Sequence, residues 1–509
     1  MKFRLKFLLQ GDNTLVRQSV KGTIYSYVGV IIGFINTGVL FPNYLSEEQV
    51  GLVNLLVSIS VIYATFANLG FNNVITRLFP YFRSNENNHN GFLLLTLIVI
   101  TVGLILSISG FFLLKPIMIR NNLESSPLFV EYLFLIPILT IGNLFFLTLD
   151  TYSRALFNAS FGTFLQDIVK RIFISIWIAL FIFNVLTFTQ FIVLYSINVF
   201  IILIALVLLL IKQKNFSLQP KFSFLKNSPQ LRKKITDVSL FGIITSFSGN
   251  LITRVDIIMV NSLINLSATG IYTVSVFFSS LVAIPFKSAN RILSTQIAEA
   301  WRNNDIAYLQ KISINTSLYQ TILGLLLFFG IWINLDSIYT ILPDSYRAGK
   351  YVIFFIGLTQ VLNMVSGVNG IILTISEYYR YQTYLLAILG LLVMVTNWIF
   401  IPRFGISGAA LATLLSNIVT HLIRFIFLYK KFGIFPLSWK LIIIFLLASL
   451  AFFLTSLLPD VDFYINDILI KSLSFTLFYF FLLYTFKISD LFNQRLEGLY
   501  EWVIMKIKK

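Results

Sequence analysis

Residues 191–211, FIVLYSINVFIILIALVLLLI, run without a single charged side chain until Lys212 ends the stretch. An α-helix rises ~1.5 Å per residue, so this segment is long enough to cross the ~30 Å hydrocarbon core of a bilayer. The next residues are opposite in character. Lys212, Lys214, Lys221, Lys226, Arg232, Lys233 and Lys234 crowd residues 212–234, and Pro220 and Pro229 interrupt any long helix there. An apolar helix that runs into a basic connection has the pattern of a membrane span emerging on the cytoplasmic side.

The same kind of segment recurs outward in both directions. Toward the N-terminus lie apolar stretches at 19–41, 50–71, 92–114, 127–149 and 168–188. Beyond the basic connection lie 238–263, 268–286, 313–335, 351–375, 384–401 and 406–428, followed by 441–458 and 468–486. The expectation is an all-α polytopic membrane protein with about fourteen transmembrane helices. Composition agrees. Only 12% of residues are charged and 57% are hydrophobic, whereas a soluble domain carries about 25% charged residues.

Charge placement predicts orientation. With the N-terminus inside, about 31 of the 38 Lys and Arg residues fall on the inner side and about 6 in outer loops, and Arg254 falls within a span. This bias places both termini on the cytoplasmic side. It also explains the formal charge of +17 without nucleic acid, since no soluble basic segment interleaved with aromatics is present. The chain has no cysteine and two histidines, His89 and His421, which removes thiolate chemistry and leaves little for a His-based metal site. No cofactor is expected. The segment 489–509 reads as an amphipathic helix, with Phe492, Leu496, Leu499 and Val503 on one face and lysines to meet anionic lipid headgroups.

The basic connection divides the first twelve spans into two sets of six that begin alike. A short outer loop leads to Gly51-Leu52-Val53 in the first set and to Gly270-Ile271-Tyr272 in the second, 219 residues later. The expected organisation is a first lobe at 1–211, a cytoplasmic linker at 212–234, a second lobe at 235–430, a terminal pair of spans at 431–487 and a tail at 488–509. Ser46-Glu47-Glu48-Gln49 has the spacing of a capping box, with acidic residues in the first helical turn. That reading competes with one in which the two carboxylates serve a polyprenyl-dependent glycosyltransferase as base or metal ligand.

Four stretches carry a resemblance. LSEEQVGLVNLLVSI from Leu45, with NLGFNNVITRLFPYF from Asn68, is similar to the span-two region of bacterial polysaccharide and oligosaccharide-lipid flippases. RVDIIMVNSLINLSATGIYTVSVFFSSLVAIPF from Arg254 resembles their spans seven and eight, and IPRFGISGAALATLLS from Ile401 their entry into span twelve. These proteins belong to the multidrug/oligosaccharidyl-lipid/polysaccharide exporter superfamily. The resemblance implies two six-helix lobes around a central cavity that opens alternately to each side. It further implies a polyprenyl-pyrophosphate-linked oligosaccharide as substrate, as in O-antigen or other lipopolysaccharide and surface-polysaccharide biosynthesis in a bacterial inner membrane. A glycan polymerase or ligase would be a partner, and H+ or Na+ a coupling ion. The lipid II branch of the superfamily places several arginines in the cavity from its first span. Here that span offers only Arg17 and Lys21 near its inner end, which points away from a peptidoglycan-precursor role.

Moving a sugar diphosphate through hydrocarbon requires cations for phosphate and polar groups for hydroxyls, but no covalent chemistry. Arg254 is the sharpest candidate, placed inside span seven with Asn250 one turn earlier and Asp256 two residues on as a switch partner. Lys21, Lys170, Arg171, Lys287 and Arg291 read as inner-end residues of spans one, five and eight, where positive-inside anchoring is the ordinary use. Lys287 and Arg291, four apart, share a helix face as a phosphate clamp would. Arg77, after Asn72 and Asn73, is a weaker candidate for the same task. Arg154 with Asp150 reads as a helix pair. Glu377 with Arg380, and His421 with Arg424, have the composition of a proton relay. A cation antiporter would need a carboxylate in the cavity, and Asp256 is the main one on offer.

Overall fold

The computed structural model of the chain describes residues 13–84, 88–220 and 228–488. Among the described residues every regular element is helical, and eleven helices are long and apolar enough to cross a membrane. The amphipathic tail expected at 489–509 lies outside the described residues.

The first helix, α1 (Asn13–Gly33), continues through a π-helical segment, Phe34–Leu40, into Phe41–Tyr44. Next come α2 (Glu47–Ala67), a short amphipathic α3 (Phe71–Phe82), α4 (Phe92–Asn122) and α5 (Leu135–Ala155). The fifth expected span is composite: α6 (Ala159–Phe164), a π-turn at Leu165–Val169, and α7 (Lys170–Ile182). Then follow α8 (Phe188–Lys212), α9 (Pro229–Leu263), α10 (Leu266–Ser280) and α11 (Ile284–Arg302). The chain continues through α12 (Ile306–Ile333), α13 (Lys350–Val365) and α14 (Asn369–Ile375). It ends with α15 (Tyr379–Phe432), α16 (Lys440–Ser456) and α17 (Tyr464–Thr485).

At 54 residues, α15 spans two expected segments. It is not one rod. Gly405 adopts φ 58°, ψ −143°, a conformation open mainly to glycine, three residues after Pro402. A Cβ on Gly408 would overlap the Phe400 carbonyl, whereas residues eight apart in a straight helix are separated by ~12 Å. The chain therefore doubles back at Gly405, as the separate segments 384–401 and 406–428 predict.

Contacts divide the chain into two compact units, residues 1–274 with 386–409, and residues 275–385 with 410–509. In the first unit α2 is the central strut, packed against α4, α5 and α9, with α8 beyond α5. Its core is built from Val74, Phe79, Phe92, Leu144, Tyr152 and Leu206 among others. In the second unit α12 has the central place, packed against α11, α13, α16 and α17. Ile322, Leu325, Ala448, Ala451 and Tyr479 are fully enclosed there.

Local chemistry sets the helix starts. Ser46 accepts from the Gln49 amide at 3.2 Å, and the Gln49 side chain accepts from the Ser46 amide at 3.1 Å, the capping box the spacing predicts. Glu47 and Glu48 stand in the first turn of α2. Thr187 and Gln190 repeat the device at the start of α8. Pro229 occupies the first turn of α9, where its missing N–H costs nothing. That helix is about 52 Å long at 35 residues, so Arg232, Lys233 and Lys234 at its start extend, exposed, past the length a bilayer needs.

Gly51 and Gly270 meet. A Cβ on Gly51 would overlap the Leu266 carbonyl at the head of α10, and one on Gly270 would overlap the Glu47 carbonyl at the head of α2. The contact is reciprocal, and both pairs, 51 with 270 and 47 with 266, are separated by the same 219 residues.

Candidate functional site: a basic cluster inside the apolar helices

The first unit carries a cluster of cations, Lys170, Arg171 and Arg254, on its helices. Arg254 lies nine residues before the end of α9, about 14 Å along its axis. Lys170 and Arg171 lie eleven and twelve residues beyond Ala159, where the composite fifth span begins. Residues 159–167 include Gly162, Gln166 and Asp167 and look too polar for a span, yet they are helical and put the basic pair midway along the helical run 159–182. Arg254 is within electrostatic reach of Lys170, and both Arg254 and Arg171 act on the Tyr195 hydroxyl. All four side chains are only partly accessible.

The π-turn explains how the pair is aimed. The Lys170 amide donates to the Leu165 carbonyl, five residues back, so the register slips by one residue and neighbouring carbonyls need other donors. Side-chain amides supply them. Asn198 on α8 donates to the Lys170 carbonyl at 2.9 Å, and Asn36 donates to the Arg171 carbonyl at 2.9 Å. Ser175 donates to the Asn36 amide oxygen at 2.8 Å. Asn36 itself sits in the π-segment of the first span, so two helical irregularities face each other across one hydrogen-bonded network. Gly29 permits the approach, since a Cβ there would come within 2.6 Å of the Asp167 carbonyl.

The three cations differ in compensation. Arg171 donates to the Gly29 carbonyl and lies 4.0 Å from Asp167, whose carboxylate also accepts from Ser26 at 2.9 Å. Among the described residues no carboxylate lies within 4.0 Å of Lys170 or Arg254. The site is net positive and can receive an anionic group.

Other predicted residues scatter. Asn250 donates to Thr65 on α2 at 3.0 Å and to the Ser246 carbonyl at 3.1 Å, so it ties helices together. Asp256 is buried and accepts from Tyr272 at 2.9 Å and from Asn397 at 2.7 Å. Lys21 is exposed on α1, and Arg77 lies on the exposed face of α3 opposite buried Val74, Ile75 and Leu78. In the second unit Lys287 is exposed on α11, and Arg291 stands four residues further along the same helix. Glu377 is exposed. Arg154 pairs with Asp150 as expected. Tyr195 and Asp167 escaped the sequence reading. A Lys-Arg pair flanked on both sides by stretches free of proline was the signal available for a continuous helical run.

Residues 19–295 match the polysaccharide biosynthesis protein family. The chain belongs to that family. Structural likenesses extend across most of its length. A structure described as lipid II flippase MurJ in an inward closed conformation superposes with a TM-score of 0.68 at 16% identity, covering 91% of this chain and 99% of that one. The MATE multidrug transporter DinF-BH matches with a TM-score of 0.55 at 18% identity, covering 84% and 98%. An inward-facing MATE transporter of the MOP superfamily matches with a TM-score of 0.57 at 13% identity, covering 80% and 94%. At these identities the likeness establishes the fold alone. No curated protein sequence matches the chain.

Proposed function

We propose that the chain is a flippase that carries a polyprenyl-pyrophosphate-linked oligosaccharide from the cytoplasmic to the outer leaflet of a bacterial inner membrane. It acts by alternating access between two six-helix lobes, supplies O-antigen or a related surface polysaccharide, and keeps both termini in the cytoplasm. The observation that carries the reading is the net-positive cluster of Lys170, Arg171 and Arg254, with the basic pair midway along the helical run 159–182 and Arg254 nine residues before the end of α9. Charges there are costly unless they serve an anion or an ion path. Pyrophosphate would engage Lys170 and Arg254 while the lipid tail stays in the bilayer. Membership of a polysaccharide biosynthesis family supports a glycan cargo, and the fold shared with a lipid II flippase supports a lipid-linked one.

In this reading Lys287, Arg291, Lys21 and Arg77 form an electrostatic approach rather than the binding site. Asn250 braces α9 beside Arg254, and Asp256 with Tyr272 and Asn397 fixes its far face. Glu47 and Glu48 stand in the first turn of α2, inside the Ser46–Gln49 capping box, where negative charge favours the helix start; this supports a structural use over an enzymatic one, so Glu47→Gln with Glu48→Gln should leave function intact. The decisive experiment is deletion of the gene followed by mass spectrometry of membrane lipids. One undecaprenyl-linked glycan should accumulate facing the cytoplasm, and Arg254→Ala should fail to clear it. An unchanged lipid profile would sink the assignment.

A further inference from the structure

The second unit contains a cavity of about 380 Å³ at the junction of α11, α13, α14 and the last part of α15. Its most unusual wall is Arg424, which is only 7% exposed. No carboxylate lies within 4.0 Å of it among the described residues. A guanidinium has five N–H donors and no acceptor. One of them, Nη1, is directed at His421 Nδ1 at 3.2 Å, and the buried Nε has no partner at all.

The neighbouring groups cannot neutralise this charge. Because Arg424 only donates, His421 Nδ1 must accept, so the ring carries its proton on Nε2. That Nε2–H donates to the Asn363 amide oxygen at 3.0 Å, and Asn363 in turn donates to Gln360 at 3.3 Å. The chain of bonds runs outward from the cation and ends on amides. A buried guanidinium left this way is strongly unfavourable unless an anion completes it.

The rest of the wall suggests what the anion is attached to. Ser366 and Gln382 each present a buried oxygen without a partner, and Asn290 and Thr374 add further polar atoms. Phe286 and Ile371 supply apolar surface. Gly370 leaves the guanidinium uncovered, since a Cβ there would stand 3.9 Å from Arg424 Nη1. The volume is at the small end for a ligand site, suited to one sugar ring rather than a chain of them.

We propose that this cavity is a binding site for a hydroxylated oxyanion, a sugar acid or sugar phosphate, held through its charge by Arg424 and through its hydroxyls by Ser366 and Gln382. The site is separate from the Lys170–Arg254 cluster, and its existence does not depend on the transport reading. Calorimetric titration of the full-length protein in detergent tests it, with glucuronate, glucose 6-phosphate, glucose and inorganic phosphate as probes. Glucuronate or glucose 6-phosphate should bind at least tenfold more tightly than glucose or phosphate. Arg424→Gln should lower that affinity at least tenfold, and an Arg254→Ala protein should bind normally. Should Arg424→Gln not fold, Gly370→Val keeps the cation and fills the space beside it, and should also abolish binding. Methyl glucuronide separates the sources: binding equal to glucuronate supports a residue within a glycan, and selective binding of glucuronate supports a free sugar acid. Absence of binding to the wild-type protein, or binding unchanged in both variants, would overturn the proposal, as would phosphate binding more tightly than either sugar.

Discussion

Lys170 and Lys471 are both lysines within apolar helices, yet they live in different electrostatic worlds. Lys471, on α17, has Asp460 at 2.6 Å and Asp467 at 2.9 Å, and Asp467 is further held by Ser337. Lys170 has Arg171 beside it in sequence, Arg254 within electrostatic reach, and no carboxylate within 4.0 Å among the described residues. A compensated charge is a fastening whose loss is felt as stability. An uncompensated one costs stability and is retained for what it binds.

Variants at the two places should therefore fail in different assays. The largest effect is expected for Lys170→Met combined with Arg254→Met. Two charge-assisted contacts to phosphate contribute about 3–6 kcal/mol together, so flux of the lipid-linked glycan should fall about a thousandfold while thermal stability holds or rises. Vesicle-based flipping and a melting curve on the same preparation separate the two outcomes, and a destabilised but active protein would break the contrast. Asp467→Leu should behave in the reverse way, losing about 3 kcal/mol of stability with little change in flux. Adding Lys471→Met should restore most of that loss, because a neutral apolar pair replaces an ion pair well. Gly270→Ala comes next. Its methyl would meet the Glu47 carbonyl, and overpacking of this kind costs about 2 kcal/mol, readable as a lower melting temperature. Smallest is Ser46→Ala, which removes the cap of α2 at about 1 kcal/mol without touching transport.

Much of this architecture is legible in the chain itself. Charge-free stretches of membrane length mark the helices, Ser46 and Gln49 mark a helix start, and Pro402 with Gly405 marks a reversal between two apolar segments. The place of Lys170 midway along a helical run is not legible. Hydropathy averages Gly162, Gln166 and Asp167 with their neighbours and reports an inner loop, but the carboxylate among them has partners in the fold. Asp167 finds Ser26 and Arg171, and Asp150 lies against Gly162. The π-turn that aims the basic pair leaves no compositional trace either. The loneliness of Arg424 is equally hidden, since a sequence shows which charges exist but not which are neutralised.

The glycine contact between α2 and α10 has a consequence for inheritance. Each helix offers a carbonyl to the other's bare Cα, at positions 219 residues apart in both directions. A side chain gained at 51 spoils one half of that handshake and leaves the other half intact, so neither position can drift alone. Two segments of one chain are thereby constrained together at the point where they touch.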